Sequence, residues 1–384
     1  MQITRLKLKN WRNFTSFDAE FRDVTYIIGP NAVGKSNLLD VFRFLRDISK
    51  PQGGGLQAAV TDRGGIKKLR CLHARRDNEV LIEIELCDSA DNELPTWRYL
   101  LAFKPEGKGK HRILVSREEV WHNGEKIISR PDHNDKKDFA LLTQTTLEQI
   151  ATNAKFRQLA DFFGSITYLH LVPQILKFSD QIGGRRLEND PFGQGFLDRI
   201  AKTTEKTRQA RLRKINDALK FAVPQFEELR FLRDNSGHPH LEARYSHHRP
   251  NAGWQSEEHL SDGTLRLLGL LWSLLEGNSM LLLEEPEISL NESVIQEIPL
   301  MMNRLQKNKK LKRQIIICTH SRALLSNKGI DGRSVILLET GKNGSTGRML
   351  QKKEKDLLRA DFSIAEVMLP KTSPAEVKHL GMWQ

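Results

Sequence analysis

Cysteine is scarce in this chain of 384 residues: Cys71, Cys87 and Cys318 are all it has. They form no C-x-x-C pair, so neither a disulfide framework nor a zinc knuckle is supported, and reduced thiols are expected. Aromatic residues make up only 7%, and they do not interleave with the basic segments as on a base-stacking platform. Long apolar runs are missing too. The most apolar window, 265–283, is interrupted by Arg266, Glu276, Gly277 and Asn278. A buried helix followed by a strand fits it, and a membrane span does not. Residues Met1 to Lys7 alternate like a strand and lack the apolar centre of a secretion signal. Nothing repeats, and no heptad pattern runs far enough for a long coiled coil. A cytoplasmic soluble protein with no membrane partner is expected.

Acidic residues are outnumbered, 48 Asp and Glu against 60 Lys and Arg, for a net charge of +12. That balance favours a polyanionic partner, with DNA a candidate. The length suggests two or three lobes.

The most informative stretch is Gly29-Pro30-Asn31-Ala32-Val33-Gly34-Lys35-Ser36. It fits the phosphate-binding loop pattern, two glycines followed by Lys and Ser. An apolar run, Val24 to Ile28, leads in like a buried strand. Asn37 to Ile48 leads out with apolar residues at helical spacing. The glycines let backbone N–H groups curl around phosphate oxygens at a helix start that already favours negative charge. Lys35 is expected to reach the β- and γ-phosphates of ATP, and the Ser36 hydroxyl to ligate Mg²⁺. Asn31, Gly34 and Asn37 complete the expected nucleotide-binding set on this loop.

Further along, 78–130 reads as an antiparallel meander with an Asn123-Gly124 hairpin turn. Helices are expected from Leu141 to Phe163 and from about Thr207 to Ala222. A hairpin follows in 226–246, and 247–259 reads as a polar loop. After Leu260 the texture is α/β, with strands expected at 280–285, 314–318 and 334–339. The first of these runs from Met280 through Leu283 into Glu284-Glu285-Pro286-Glu287, placing carboxylates at the carboxyl end of a buried parallel strand. One acid can hold Mg²⁺ through water, and the next can polarise the attacking water. The second ends in Thr319-His320-Ser321, poising His320 for a γ-phosphate or the attacking water. Leu260-Ser261-Asp262-Gly263-Thr264 opens a helix. Ser261 there is either a cap or, at a helix N-terminus, a phosphate contact.

Taken in order, these segments resemble the ABC-type ATPase heads of the RecF, SMC and OLD group, and Lys9-Asn10-Trp11-Arg12-Asn13-Phe14 resembles the segment that opens those heads. The resemblance implies that Arg12 lies near the nucleotide and that Ser261, with Gly263, is the signature serine segment. It makes Glu284 the magnesium-associated acid, Glu285 the general base and His320 the switch histidine. Asn291 falls where that group has its D-loop. A closer resemblance covers nearly the whole chain. Leu56 to Gly65, the Leu-Ser-Asp-Gly-Thr-Leu-Arg form of the signature and the ending Leu380-Gly381-Met382-Trp383 look like a bacterial group of RecF-like AAA ATPases related to abortive-infection proteins. Its members often sit beside a small Toprim-like protein.

The expected architecture is a two-lobed α/β ABC-type P-loop ATPase head with an antiparallel β meander and an inserted helical arm. Residues 1–137 would form lobe I, 138–225 the arm or lid, and 226–384 lobe II. The resemblance implies a homodimer or higher homo-oligomer, two chains sandwiching two ATPs head to tail with each site completed by the partner's signature serine. The implied role is a sensor or scaffold in DNA maintenance or phage defence that controls a separate effector. A RecF-like DNA-binding repair ATPase is the alternative, and a transporter's nucleotide-binding subunit is a third. Two departures stand out: Glu284-Glu285 replaces the usual Asp-Glu of the Walker B strand end, and Gln57, Gln174 and Gln181 all remain candidates for the Q-loop. The basic segments 104–112, 202–214 and 307–313 read either as solvated surface or as phosphate-backbone contacts.

Overall fold

Alternation of apolar and polar residues builds the first sheet. The computed structural model describes residues 1–50, 52–75, 77–88, 94–107, 112–178, 192–246, 253–277, 279–307 and 312–372. Strands β1 (Gln2–Trp11) and β2 (Phe14–Glu20) form an antiparallel hairpin. Leu6 and Leu8 point into the core, while Lys7 and Lys9 on the other face pair with Glu83 and Asp77. Strand β3 (Val24–Ile28), buried at every position, leads into helix α1 (Lys35–Ile48). The meander follows as β4 (Val80–Cys87), β5 (Trp97–Pro105), β6 (Ile113–His122) and β7 (Glu125–Arg130). Its last turn has Asn123 and Gly124 at positive φ, 49° and 83°, the backbone that a two-residue hairpin turn requires. The N-terminal hairpin completes the same sheet, in the order β2-β1-β4-β5-β6-β7.

The second sheet carries the phosphate-loop strand. It adds β8 (Thr167–Leu169), then, beyond the hairpin β9 (Phe226–Arg233) and β10 (Pro239–Tyr245) with its short partner β11 (Gln255–Ser256), β12 (Leu281–Glu284), β13 (Ile315–Cys318), β14 (Val335–Gly341) and β15 (Gly344–Met349). Its order is β15-β14-β3-β13-β12-β8, parallel except for β15. Period-two alternation divides its side chains between two cores. Ile27, Leu282, Ile316 and Cys318 face α1 and the first sheet. Ile28, Leu281, Leu283, Ile315 and Ile317 face the helices Asp262–Leu275 and Glu292–Lys307. Each fully buried Leu or Ile contributes about 1.5–3 kcal/mol. Apolar matter on both faces is what runs such as Ile315-Ile316-Ile317 require.

The described parts of the segment 138–225 are built into both cores. Helix Arg157–Gly164 packs Leu159 and Phe163 against the α1 side, β8 pairs with β12, and helix Glu205–Ala222 buries Leu212, Ile215 and Leu219 in the second core. The single helix expected from Leu141 to Phe163 is replaced by 3-10 turns, Phe139–Thr143 and Asn153–Phe156, before the helix Arg157–Gly164. Side-chain hydrogen bonds, one of them to Glu118 on β6 and others local, outcompete the helix there. The buried Glu118 accepts from Thr146 N at 2.9 Å, Glu148 accepts from Thr145 N at 2.6 Å, and the Asn153 amide donates to Leu147 O at 2.8 Å. Within 247–259, where a loop was expected, 247–252 lie outside the described residues. Glu257 draws the rest into order by accepting from Leu241 N at 2.9 Å.

Arg130 holds this region together. It pairs with Glu118 at 3.1 Å and Asp135 at 2.7 Å, and donates to Gln144 O and Leu141 O. Burial lifts the Glu118 carboxyl above its ordinary value even with Arg130 alongside. Arg130→Ala would strand that group in the core. It is expected to cost about 3–5 kcal/mol, read as a lower urea midpoint in equilibrium unfolding.

Candidate functional site

Between β3 and α1 the backbone makes the turn that the loop composition demands. Gly34 caps α1 in the left-handed region at φ 105°, where a Cβ would also sit 3.2 Å from Asn13 Cγ. Lys35 is buried, and its ammonium donates to Gly29 O at 3.0 Å and Pro30 O at 3.1 Å. Asn13 straps the loop, accepting from the Asn37 amide and donating to Ala32 O. The Ser36 hydroxyl donates to Glu284 Oε1, a contact spanning 248 residues of sequence.

A cleft of about 300 Å³ opens here, lined by Asn31, Ala32, Gly34, Lys35, Ser36, Asn37, Glu284, Glu285 and Cys318. Strand alternation alone would send Glu284 and Glu285 to opposite faces. Glu285 instead adopts φ 44°, an uncommon conformation for a residue with a Cβ. Its N–H donates to Cys318 O at 2.9 Å, and both carboxylates stay at the cleft. Glu285 Oε1 lies 2.9 Å from His320 Nδ1, so His320, half-exposed, reaches the rim through the acid. Behind this pair the buried Glu287 accepts from the Thr319 hydroxyl, which itself accepts from Ser321 N at 2.9 Å. Burial raises the Glu287 carboxyl above its ordinary value. These contacts fix the turn that carries His320. Burial likewise raises the Cys318 thiol, with Glu284 adding to the effect, so this residue lines the cleft as a neutral group.

Arg12, Ser261 and Gly263 are not in this lining, as expected for Ser261 and Gly263 if they serve a second copy's nucleotide. Arg12 binds Asp40 of α1, Nε at 3.0 Å and Nη2 at 2.6 Å, beside the cleft and not in its lining. Burial opposes ionisation of Asp40, but Arg63 and Arg12 outweigh it and hold its carboxyl below the ordinary value. Ser261 caps helix Asp262–Leu275, accepting from Thr264 N at 3.1 Å. Gly263 packs so closely on the loop after β12 that a Cβ would sit 2.6 Å from Ser289 O. Of the Q-loop candidates, Gln57 is bound to the backbone of Ile113 and Thr143. Gln174 donates to Asp262 at 2.7 Å, and Gln181 lies outside the described residues. So do 308–311, with Lys309 and Lys310, as well as 108–111 and the ending 380–383. Arg313, read as part of a basic surface, is a buried brace: it donates to Ser273 O and Glu276 O at 2.7 Å, and burial lowers its pKa to about 10. In the basic helix, Arg211 stacks on Trp272 and Arg208 on Phe231.

Three further residues enter the site without a role assigned from the sequence: Asn13, Tyr168 and Thr319. Tyr168 donates its hydroxyl to Glu284 Oε2. Asn13 had a signal, sitting one residue after Arg12. Tyr168 had none, because β8 is only 3 residues long and shows no period.

Chemically, the cleft joins a helix N-terminus, a lysine and loop N–H groups, the donor set for a chain of phosphates. Ser36 and Glu284 offer hard oxygens of the kind Mg²⁺ takes together with phosphate oxygens and water. Among the described residues there is no group of three or more His, Cys, Asp and Glu that could hold a metal ion by itself.

A family model described as "AAA domain, putative AbiEii toxin, Type IV TA system" matches residues 24–326. A stretch of 101 residues is 31% identical to the DNA replication and repair protein RecF of Roseiflexus castenholzii, covering 24% of this chain and 26% of that protein. Among solved structures, the Smc head bound to the C-winged helix domain of ScpA superposes with a TM-score of 0.55 at 16% identity, over 92% of this chain and 100% of that one. The Smc head domain with an extended coiled coil, bound to the C-terminal domain of ScpA derived from Pyrococcus furiosus, gives 0.51 at 14% identity, over 94% and 98%. The fold is therefore that of an SMC-like, ABC-type ATPase head. No described helix is long and apolar enough to cross a membrane.

Proposed function

The chain belongs to that AAA-domain family, and on that premise we propose that it binds ATP at the Gly29–Ser36 loop, hydrolyses it, and uses the cycle to switch a dimer. The observation that carries this reading is the convergence on one cleft of Lys35, the contacting Ser36 and Glu284, and the Glu285–His320 pair. Lys35 would turn from its two loop carbonyls to the β- and γ-phosphates. Ser36 and Glu284 would hold Mg²⁺, which supplies charge neutralisation on the phosphates. Glu285 would orient the attacking water and take its proton, and His320 would steady that carboxylate. Ser261 and Gly263, outside this cleft, would serve the ATP of a second copy, the Ser261 hydroxyl turning from its cap on Thr264 N. Arg12 would swing from Asp40 to reach the nucleotide. Phosphate release measured against ATP and Mg²⁺ tests the reading; a folded chain with no magnesium-dependent turnover overturns it.

The role proposed is a sensor or scaffold that governs a separate effector, Toprim-like in the arrangement the family resemblance implies. Two of the similar Smc heads are described as bound to domains of ScpA, which supports a partner protein. A second reading, a DNA-binding repair ATPase, is favoured by the RecF-like stretch and the net charge of +12. If it holds, DNA affinity should fall steeply between 50 and 200 mM salt, by about 10³-fold or more for six or more phosphate contacts. Charge reversal at Lys309, Lys310 and Lys312 should weaken it. Arg313 must be left in place, since its reversal would break the brace described above. Absence of binding at low salt with ATP present would leave the protein-partner role.

A further inference from the structure

Glu284 is gripped from two sides. Ser36, on α1, donates to Oε1; Tyr168, on β8, donates to Oε2. The second grip follows from strand register. Tyr168 stands opposite Leu282 in the parallel β8–β12 pair, and Leu282 and Glu284 share a face of β12. A tyrosine is long enough to cover that diagonal. Its ring is buried, with the Arg43 guanidinium 4.5 Å from the ring centroid. Two residues further, just past the end of β8, His170 Nδ1 lies 3.3 Å from Glu284 O. The end of β8 and the residue after it thus contact both the main chain and the side chain of this acid.

Resting on the reading of Glu284 as the acid that serves Mg²⁺, we propose that Tyr168 is a positioning residue for the metal site, holding Glu284 in place when Ser36 turns to the ion. A glutamate has three rotatable side-chain bonds. A Ser36 hydroxyl that ligates the ion through a lone pair keeps its proton, but the ion then sets where that O–H points, whereas the Tyr168 anchor on Oε2 does not depend on the ion. The phenol neither touches nucleotide nor moves a proton; it keeps a carboxylate aimed.

The test uses the full chain and a fluorescent ATP analogue, with binding followed as Mg²⁺ is titrated. Tyr168→Phe keeps the ring and its contact with Arg43. It is expected to raise the Mg²⁺ midpoint about tenfold, the loss typical of one hydrogen bond to a charged group. Affinity for the analogue in EDTA should be unchanged, and thermal unfolding should stay cooperative, with its midpoint lowered by a few degrees at most for the lost hydrogen bond. Glu284→Gln should raise the Mg²⁺ midpoint at least as far, and adding Tyr168→Phe to it should do nothing more. An unmoved midpoint in Tyr168→Phe, while Glu284→Gln shifts, overturns the proposal and leaves the metal role of Glu284 intact. Equal weakening with and without Mg²⁺, or loss of cooperative unfolding, also overturns it, because the hydroxyl then serves the fold. If Glu284→Gln itself leaves the midpoint in place, the metal role of Glu284 fails and the proposal falls with it.

Discussion

Glu285→Gln is expected to bind ATP and to lose hydrolysis by about 10²–10⁴-fold. The substitution is nearly isosteric. A glutamine oxygen can still accept from His320, which lies 2.9 Å from the carboxylate now, and the main-chain bond to Cys318 O is untouched. Only the ability to take a proton is removed. Lys35, Ser36 and Glu284 remain, so nucleotide should persist uncleaved. Under the head-to-tail reading, that trapped ATP should hold two chains together, and light scattering should show an ATP-dependent dimer or a locked form of an existing oligomer. Ser261→Arg in the same background places bulk and charge where the second copy would sit, and should abolish the ATP response while binding survives. Wild-type turnover in Glu285→Gln would pass the base role to Glu284 or Glu287. Of these, Glu287 is the poorer candidate, being buried and held by Thr319. A dimer unaffected by Ser261→Arg would reduce the serine to the helix cap it forms with Thr264 N.

Lys35→Ala should weaken ATP binding by about 10–100-fold, the equivalent of one or two charge-assisted hydrogen bonds worth about 1.5–3 kcal/mol. The ammonium presently satisfies Gly29 O and Pro30 O, and those carbonyls can turn to water once the side chain is gone. The fold should therefore survive, since the loop is also tied by Asn13 to Ala32 and Asn37. Titration of labelled ATP, with circular dichroism as the control for folding, measures the effect. Unchanged affinity in a folded variant would mean that the Gly29–Ser36 loop is not the site.

By itself the sequence determined whatever depends on neighbours along the chain. The run Val24–Ile28 had to be a covered strand, the two-glycine loop had to precede a helix, and Leu281–Leu283 had to deliver acids at a strand end, because apolar period and turn chemistry are local properties. The meander and its Asn123-Gly124 turn were legible for the same reason. Only the tertiary structure decided that β13 lies between β3 and β12, so that Ser36 and Glu284 meet across the end of an intervening strand. Three-residue β8 carried no readable pattern and gained its place by pairing with β12. The residues 141–156 had helical spacing, yet buried Glu118 and Arg130, far away in sequence, drew them into turns. Glu285 took a left-handed backbone that no propensity favours, held by its N–H bond to the end of β13. In each case the deciding partner is remote in sequence, and a buried polar group that finds such a partner outweighs the few tenths of a kcal/mol by which local preference differs.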